Sequence, residues 1–366
     1  MCPPAPKEPL FFKRIAKPTV WGGRRLAEML GFDATAAVNP DAPASANANA
    51  DAAPIGETWE LSDYPGMETT VRGGQFDGAS LQQLLSDFPD DLLGESRPDP
   101  NGRFPLLVKF IDADADLSVQ IHPPDGELSP TGVGKTEAWF ILDAVRQSAD
   151  QDDKNTDANP ERRGSVIAGL KAPANRLQLE ADAASSKVLD HLQETEVNAG
   201  DCLMIEAGTT HAIRSGVLLC EVQQTSDVTY RMYDWDRVGM DGKPRTTHVA
   251  EALAVVDYDA SAPKATRAEF PAVADDAVQP VVQVASLANC DYFRLHLVRV
   301  HAEADHHPHG FARILCVLKG NGVIHSEAGG ERDLQLGDVV LIPARMGEFV
   351  VHPGVDGLEL LEAVAL

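Results

Sequence analysis

The sequence is short of the features that mark several classes of protein. Its five cysteines, at positions 2, 202, 220, 290 and 316, show no CxxC spacing, which argues against a disulfide framework or a thiolate zinc site and indicates a reducing compartment. No apolar run approaches the roughly 18 residues of a membrane-spanning helix. The N-terminus also lacks the continuous apolar segment of a secretion signal. We therefore expect a cytoplasmic protein without a membrane partner.

Basic residues are scarce as well. The chain has 31 lysines and arginines against 56 acidic residues, a formal charge of −25. Such a surface repels nucleic acid and anionic lipid, so neither is an expected partner. A phosphorylated substrate would need a locally basic pocket within this acidic surface.

Short apolar segments separated by Gly, Pro and Asp make up most of the 366 residues. They include PLLVKFID, EAWFILDA and VLLCEVQQ before a Pro-rich stretch near 261–280, and FRLHLVRV and RILCVLKGNGVIH after it. This pattern predicts a mainly β fold of barrels or jelly rolls. AGDCLMIEAGTTHAI and LGDVVLIPARMGEFV share the form of Gly-Asp, an apolar strand and a small-residue turn, which suggests two copies of one β domain.

The predicted domains cover residues 1–260, with insertions, and 281–366. The stretches 34–54 and 145–163 are polar and lack an apolar period, so we predict disordered surface loops there. Apolar residues recur three or four apart at 26–30, 81–93 and 187–193, which predicts a few short helices.

Three segments carry side chains that could bind a metal ion. Gln120 and His122, in VQIHPPD, are two residues apart on a predicted strand and therefore share a face. Lys135 and Glu137, in GKTEAWFIL, have the same spacing, and His211 follows the turn EAGTT. Two imidazoles and one carboxylate are a common catalytic zinc set. From spacing alone, a metal site and a set of ordinary strand residues are about equally favoured.

The stretch SPTGVGKTE resembles the end of a nucleotide-binding P-loop, but it fails two requirements. The position of the first glycine is occupied by Ser129, and the following EAWFILDA favours a strand where a P-loop opens a helix. A second histidine-rich segment, DHHPHG at 305–310, has metal-ligand spacing at His307 and His309 but no acidic partner nearby. We interpret it as a solvated loop or a vestigial site.

Further charged and polar candidates lie close to these segments. Ser118 shares the face of Gln120 and His122. Asp227 and Arg231 are four residues apart in QQTSDVTYRMYDWDR, where an arginine suits contact with an oxyanion or a phosphate and an exposed pair would contribute little. Lys109 lies within an apolar strand, so it either points inward with a partner or lies at a strand edge.

Taken together, the motifs resemble the type I mannose-6-phosphate isomerase family in its short bacterial form. The matching segments are KPTVWGGRRL, GETWELSD, PLLVKFIDADADLSVQIHPPD, GKTEAWFILDA, IEAGTTHAI and QQTSDVTYRMYDWDR. The resemblance implies two cupin domains, of which the second is metal-free. It implies one zinc ion per chain on His122, Glu137 and His211, with Gln120 as a fourth ligand in some members. The stretches 34–54 and 145–163 depart from the family pattern without interrupting a motif.

The resemblance also implies an activity, the interconversion of mannose 6-phosphate and fructose 6-phosphate. Arg231 matches the family's active-site arginine, Lys135 a lysine proposed in acid–base chemistry, and Asp227 an aspartate beside it. Ser118 matches a serine proposed to contact the phosphate, and we predict Lys109 as a second substrate contact. The alternatives are a sugar-binding cupin without catalysis, a metal-dependent dioxygenase, or an isomerase of other aldoses. We expect a monomer or weak homodimer.

Overall fold

The computed structural model describes residues 5–32, 54–144, 164–172, 175–271 and 280–366. Its strands, in chain order, are β1 (Leu10–Lys13), β2 (Ile15–Gly23), β3 (Ile55–Leu61), β4 (Thr70–Val71), β5 (Leu106–Ala113), β6 (Val119–Ile121), β7 (Glu137–Ala144), β8 (Ser165–Leu170), β9 (Leu192–Glu196), β10 (Asp201–Ile205), β11 (His211–Ile213), β12 (Val217–Gln224), β13 (Tyr230–Tyr233), β14 (Thr266–Arg267), β15 (Val282–Asn289), β16 (Phe293–Val300), β17 (Ala304–His306), β18 (Arg313–Ser326), β19 (Gly330–Leu334), β20 (Val339–Ile342) and β21 (Phe349–Ala365). The helices are α1 (Arg25–Leu30), α2 (Leu81–Asp87), α3 (Pro89–Leu93), α4 (Arg176–Asp182), α5 (Val249–Val255) and one 3₁₀ helix (Ser186–His191).

These elements confirm the prediction of a mainly β fold with a few short helices. The sheets formed by the described strands are open rather than closed into barrels. The loops predicted at 34–54 and 145–163 lie, apart from Pro54, outside the described residues. Within the ranges given above, no helix is long and apolar enough to cross a membrane.

The helix predicted over 81–93 is two helices, α2 and α3. Ser80 caps α2, its side chain accepting a hydrogen bond from the Gln83 backbone N–H at 3.1 Å. Phe88 then leaves the helical region, with φ −138° and ψ 52°, because the following Pro89 disfavours a helical conformation at the residue before it. The helix predicted at 187–193 is the 3₁₀ helix followed by β9.

Contacts group the chain into two units. The terminal unit contains residues 1–15, 59–108 and 266–366, and the central unit contains 16–58 and 109–265, each so far as described. This grouping places 59–108 with the C-terminal part. The predicted domain limits at 260 and 281 stay a prediction.

The terminal unit is built on one sheet in the order β15-β16-β21-β18-β20-β1-β4, with β17 paired to β21 and β19 to β18. Long antiparallel pairings hold β18 and β16 against β21. One face of the sheet buries an apolar cluster that includes Phe11, Leu315, Phe349 and Leu360.

The central unit has two sheets. One runs in the order β10-β7-β12-β5-β2-β3 and the other in the order β13-β6-β11-β8-β9. A buried cluster that draws on strands of both sheets includes Ile111, Trp139, Leu203 and Ile213. The opposite face of the second sheet packs against α4 and α5 through Leu179 and other apolar residues.

Candidate active site

A buried cluster of three side chains forms the floor of the candidate site. His122 follows β6, Glu137 opens β7 and His211 opens β11, and their ligand atoms all lie within 4.8 Å of one another. His122 Nε2 is 3.6 Å from Glu137 Oε2, and His211 Nε2 is 3.7 Å from Glu137 Oε1. Within the described ranges this is the one group of three such side chains close enough to share a metal ion. The structure thus brings together the three predicted ligands.

Strand alternation explains why these polar side chains point inward. Val119 and Ile121 of β6 pack on the side of the sheet covered by α4 and α5, so Gln120 points to the other face. On β11, His211 pairs with Gln120 across the antiparallel ladder. Ala212 takes the helix-covered side.

Both histidines are held by backbone carbonyls. His122 Nδ1 lies 2.7 Å from the Val228 carbonyl oxygen, and His211 Nδ1 lies 2.8 Å from that of Thr209. Because a carbonyl oxygen only accepts, each Nδ1 carries the proton and each Nε2 offers its lone pair to the cluster. Burial lowers the pKa of His211 to about 4 and that of His122 well below its ordinary value. Both rings are therefore neutral at pH 7.

This donor set fits a metal ion. Two neutral imidazoles and one carboxylate are the ligand types of catalytic zinc, and all three side chains are buried. The two carboxylate oxygens of Glu137 each face one imidazole, Oε2 that of His122 and Oε1 that of His211. Gln120, predicted as a fourth ligand, places its Nε2 3.3 Å from His211 Nε2, so its amide also lies within reach of the cluster.

Lys135 lies directly against the cluster. Its Nζ is 2.7 Å from Glu137 Oε2 and 3.1 Å from His122 Nε2. The predicted strand over 137–144 is confirmed, and Lys135 precedes it in an irregular segment. The same-face spacing expected of Lys135 and Glu137 therefore does not apply, although the two side chains do meet.

A lysine–carboxylate network extends from Lys135; it comprises Lys17, Lys109, Lys135, Glu57, Glu221 and Asp227. Lys109 Nζ lies 3.5 Å from both Glu57 Oε2 and Glu221 Oε1, and 3.8 Å from Asp227 Oδ1. Lys17 Nζ lies 2.9 Å from Glu57 Oε1 and 3.8 Å from Asp227 Oδ2. For Lys109 the sequence allowed either an inward side chain with a partner or a position at a strand edge. The structure shows an inward side chain with carboxylate partners.

Burial and charge act in opposite directions in this network. Burial disfavours the charged form of Lys109, but Glu57 and Glu221 outweigh it and raise the pKa of Lys109 above its ordinary value. Burial alone would raise the pKa of Glu57, yet the ammonium groups of Lys109 and Lys17 lower it to about 2. For Glu221, burial followed by the nearby Glu137 raises the pKa.

Sequence reasoning missed Glu57, Glu221 and Lys17. A signal existed for Glu221, which is the one charged residue in the apolar strand β12, as Lys109 is in LLVKFI of β5. Two opposite charges in separate buried strands predict each other as partners. Lys17 lies in the half-exposed part of β2, where a lysine is common and gives no sign of a buried partner.

The network lines one cavity of about 470 Å³ in the central unit, and Lys135 and Gln120, whose side chains lie against the cluster, are part of that lining. Arg231 also lines it, donating through Nε to Ser118 Oγ at 3.3 Å and through Nη1 to the Thr246 carbonyl at 2.9 Å. Ser118 Oγ in turn donates to Gln120 Oε1 at 3.1 Å. All the residues predicted as catalytic or substrate-binding thus lie in or beside one cavity. Their roles stay predictions.

The segment 234–248 forms one wall of this cavity and begins with a strained turn. Trp235 and Asp236 have φ values of 58° and 53°, which side-chain-bearing residues adopt at a cost of about 1–3 kcal/mol each. Trp235 Nε1 donates to the Leu117 carbonyl at 2.7 Å, and the Tyr233 hydroxyl donates to Asp236 Oδ2 at 3.1 Å. A hairpin follows, closed by the Gly239 N–H on the Lys243 carbonyl at 2.7 Å.

The mainly β scaffold and the buried His–Glu–His cluster define a cupin-type protein with a site able to hold a metal ion. Residues 11–160 match the family described as phosphomannose isomerase type I, catalytic domain, and residues 283–354 match mannose-6-phosphate isomerase, cupin domain. The chain is 30% identical over 349 residues to the probable mannose-6-phosphate isomerase GmuF of Bacillus subtilis, covering 94% of this chain and 96% of the relative. Mannose-6-phosphate isomerase of Streptococcus mutans is 32% identical over 252 residues, 68% of each chain.

The crystal structure of the mannose 6-phosphate isomerase from Bacillus subtilis superimposes with a TM-score of 0.76 at 25% identity, covering 97% of this chain and 99% of that one. The chain belongs to the type I phosphomannose isomerase family, as its motifs predicted. It is accordingly an enzyme of the aldose–ketose isomerase class.

Proposed function

We propose that this enzyme interconverts mannose 6-phosphate and fructose 6-phosphate through an enediol, with one zinc ion per chain. The observation that carries the proposal is the buried set of His122, Glu137 and His211, with ligand atoms within 4.8 Å of one another, next to Lys135, which lines a cavity together with other charged side chains. When bound there, zinc supplies Lewis acidity toward the sugar oxygens at C1 and C2. Gln120 lies where it can add a fourth ligand.

Isomerisation also requires a group that moves a proton between C1 and C2, and the cavity offers two candidates. Lys135 Nζ is buried beside Glu137 and His122, next to the place where the reacting carbons would bind. Asp227 lies on the far side of the network and is more accessible, with a side chain 38% exposed. A base that removes the C2 proton of the aldose returns it to C1, while the hydroxyl proton crosses between the two oxygens.

Three further side chains have positioning roles in this proposal. Arg231 and Ser118 are joined by a hydrogen bond and line the cavity together, so they can hold hydroxyl or phosphate oxygens. Lys109 lines the same cavity while bound to Glu57 and Glu221, so it fixes the carboxylates around the substrate. The predictions of a monomer or weak homodimer and of a cytoplasmic protein stay predictions.

A coupled assay for fructose 6-phosphate formed from mannose 6-phosphate tests the proposal, with metal content measured in the same samples. We expect turnover by protein that carries one zinc ion per chain, loss after chelation and recovery after zinc is added back. Full turnover by metal-free protein would contradict the metal role. No turnover by zinc-loaded protein would favour a sugar-binding protein instead.

A further inference from the structure

The segment 134–136, which delivers Lys135 to the cluster, lies outside regular secondary structure. Both ladders of β7, with β10 and with β12, begin at Glu137. The loop before the segment is closed by the Gly126 N–H, which donates to the Gly132 carbonyl at 3.0 Å. Backbone that is not part of a ladder still needs partners for its polar groups, and those partners then fix its course. The position of Lys135 therefore depends on the particular groups that bind this segment.

Three successive backbone N–H groups of the segment are each bound by a group from elsewhere in the chain. The Gly134 N–H donates to Asp125 Oδ1 at 2.6 Å, the Lys135 N–H to the Pro123 carbonyl at 3.1 Å, and the Thr136 N–H to Gln224 Oε1 at 2.9 Å. Gln224 Nε2 in turn donates to Asp125 Oδ1 at 3.1 Å. The Gln224 amide therefore binds the segment directly on one side of Lys135 and holds the acceptor on the other side.

Gln224 is buried, and its residue type matches both of its partners. It ends β12, and its backbone N–H donates to the Thr136 carbonyl at 3.1 Å, so Gln224 binds Thr136 twice. A glutamine amide offers one acceptor oxygen and one donor nitrogen. The oxygen binds the Thr136 N–H and the nitrogen binds Asp125. A glutamate would place a second acceptor against the Asp125 carboxylate, where a donor is required.

Gly134 allows the segment to approach the backbone at Asp125 closely. A Cβ atom at position 134 would lie 2.5 Å from the Asp125 backbone nitrogen, closer than such atoms come without a shift of the chain. Lys135 thereby enters at a depth where its Nζ is 2.7 Å from Glu137 Oε2 and 3.1 Å from His122 Nε2. Any side chain at position 134 would move the segment away from this position.

We propose that Gln224 is a positioning residue for Lys135. Through Thr136 and Asp125 it fixes where the Lys135 ammonium group lies against the cluster. The consequence for catalysis rests on the proposed function, in which Lys135 is one of two candidates for moving the proton between C1 and C2. Gln224 lies outside the set of described residues that line the cavity, so its effect on the reaction passes through Lys135.

Gln224→Met tests the placement of Lys135, because methionine keeps most of the side-chain volume and removes both side-chain hydrogen bonds. Acetylation of lysines by acetic anhydride, followed residue by residue by mass spectrometry, reports the accessibility of Lys135 without any turnover. Loss of the two hydrogen bonds makes local opening of the segment easier, so the labelling rate of Lys135 should rise by about 10-fold. The rate for Lys109, which is held by Glu57 and Glu221, should not change.

The kinetic effect of Gln224→Met should fall on kcat. In the coupled assay with zinc-loaded enzyme, kcat should fall by about 10- to 100-fold while KM stays within about 3-fold, because a displaced proton carrier slows the reaction without loss of a substrate contact. Zinc should be retained, since Glu137 stays in both ladders of β7. Ser129→Ala is the matched control: it removes a buried hydrogen bond of the preceding loop, from Ser129 Oγ to the Val133 carbonyl at 2.6 Å, and should leave kcat within about 3-fold.

Two further experiments separate positioning of Lys135 from general support of the fold. In the background of Lys135→Ala, Gln224→Met should lower kcat by less than about 3-fold, because residues that act as a unit are not additive. Gly134→Ala displaces the same segment while the Gln224 amide stays intact. It should therefore reproduce both the faster labelling of Lys135 and the fall in kcat.

Unchanged labelling of Lys135 in Gln224→Met would overturn the proposal, and so would an equal fall in kcat with and without Lys135. Loss of zinc from Gln224→Met would also overturn it, because Gln224 would then support Glu137 as a ligand. Faster labelling with unchanged kcat would leave the placement of Lys135 standing and contradict its proton transfer in the proposed function. If Gln224→Met does not fold, Gln224→Glu decides in the same way: it keeps the acceptor for the Thr136 N–H and loses the donor to Asp125, so unchanged labelling there contradicts the proposal.

Discussion

Replacement of Lys109 by methionine should destabilise the central unit by about 3–5 kcal/mol. Methionine keeps most of the volume of the side chain and removes its charge. Lys109 and Glu221 are each 3% exposed and Glu57 is 13% exposed, so the change leaves buried carboxylates without their common partner. Breaking a buried ion pair by removing one member costs that much because the remaining charge is uncompensated. Asp227 is more exposed, so the loss of its contact with Lys109 adds little to this destabilisation.

The measurement is urea unfolding followed by tryptophan fluorescence, since Trp139 lies in the core of the central unit and donates through Nε1 to Glu221 Oε2 at 3.2 Å. Lys17→Met is the matched control: Lys17 also contacts Glu57 and Asp227 but is 30% exposed, so we expect at most about 1 kcal/mol. The double variant Lys109→Met/Glu221→Gln should be about 1–3 kcal/mol more stable than Lys109→Met alone, because one of the uncompensated buried carboxylates has been removed.

A Lys109→Met protein within 1 kcal/mol of the unmodified enzyme would refute the reasoning. It would mean that the carboxylates take up protons or water at little cost, so that the network does not depend on its central ammonium. Equal losses in Lys109→Met and Lys17→Met would refute a narrower point, namely that burial rather than the number of ion pairs sets the magnitude.

His211→Ala should remove both bound metal and turnover, measured by elemental analysis and the coupled assay; a variant that retains one zinc ion and normal kcat would exclude His211 as a ligand. Lys135→Ala should lower kcat by about 10²–10⁴-fold with zinc retained, the range expected for loss of an acid–base group. If the zinc content of Lys135→Ala also falls, the lysine supports the cluster instead of moving a proton, and Asp227→Asn should then show the larger loss of kcat.

Sequence reasoning reached the floor of the site because the key residues lie on or next to strands. The spacing of Gln120 and His122 predicted a common face for these two side chains, and the resemblance to the family then implied His122, Glu137 and His211 as one ligand set. The strand Glu137–Ala144 was predicted with its observed limits. Side chains alternate between the two faces of a strand, so spacing alone tells which residues of a strand share a face.

Arg245 and His248, which also line the cavity, escaped prediction for the opposite reason. Arg245 and His248 follow a hairpin that closes between Gly239 and Lys243, and loop residues carry no periodicity from which to infer direction. The pairing of Glu57 with Lys109 was also hidden, because the two residues are far apart in the chain. The two-helix break at Pro89 was readable from the sequence, since proline restricts the preceding residue.

The left-handed turn at Trp235 and Asp236 has a consequence for how this enzyme could diversify. The turn and the ion pairs of Asp234 with Arg237 and Arg245 anchor both arms of the hairpin, while its tip protrudes: Met240 lines the cavity and is 63% exposed. Insertions or deletions at residues 239–243 would thus leave the anchors and the His–Glu–His cluster in place. We expect homologues that accept bulkier or shorter sugars to differ in the length and composition of this tip, so that substrate range changes without disturbing the metal cluster.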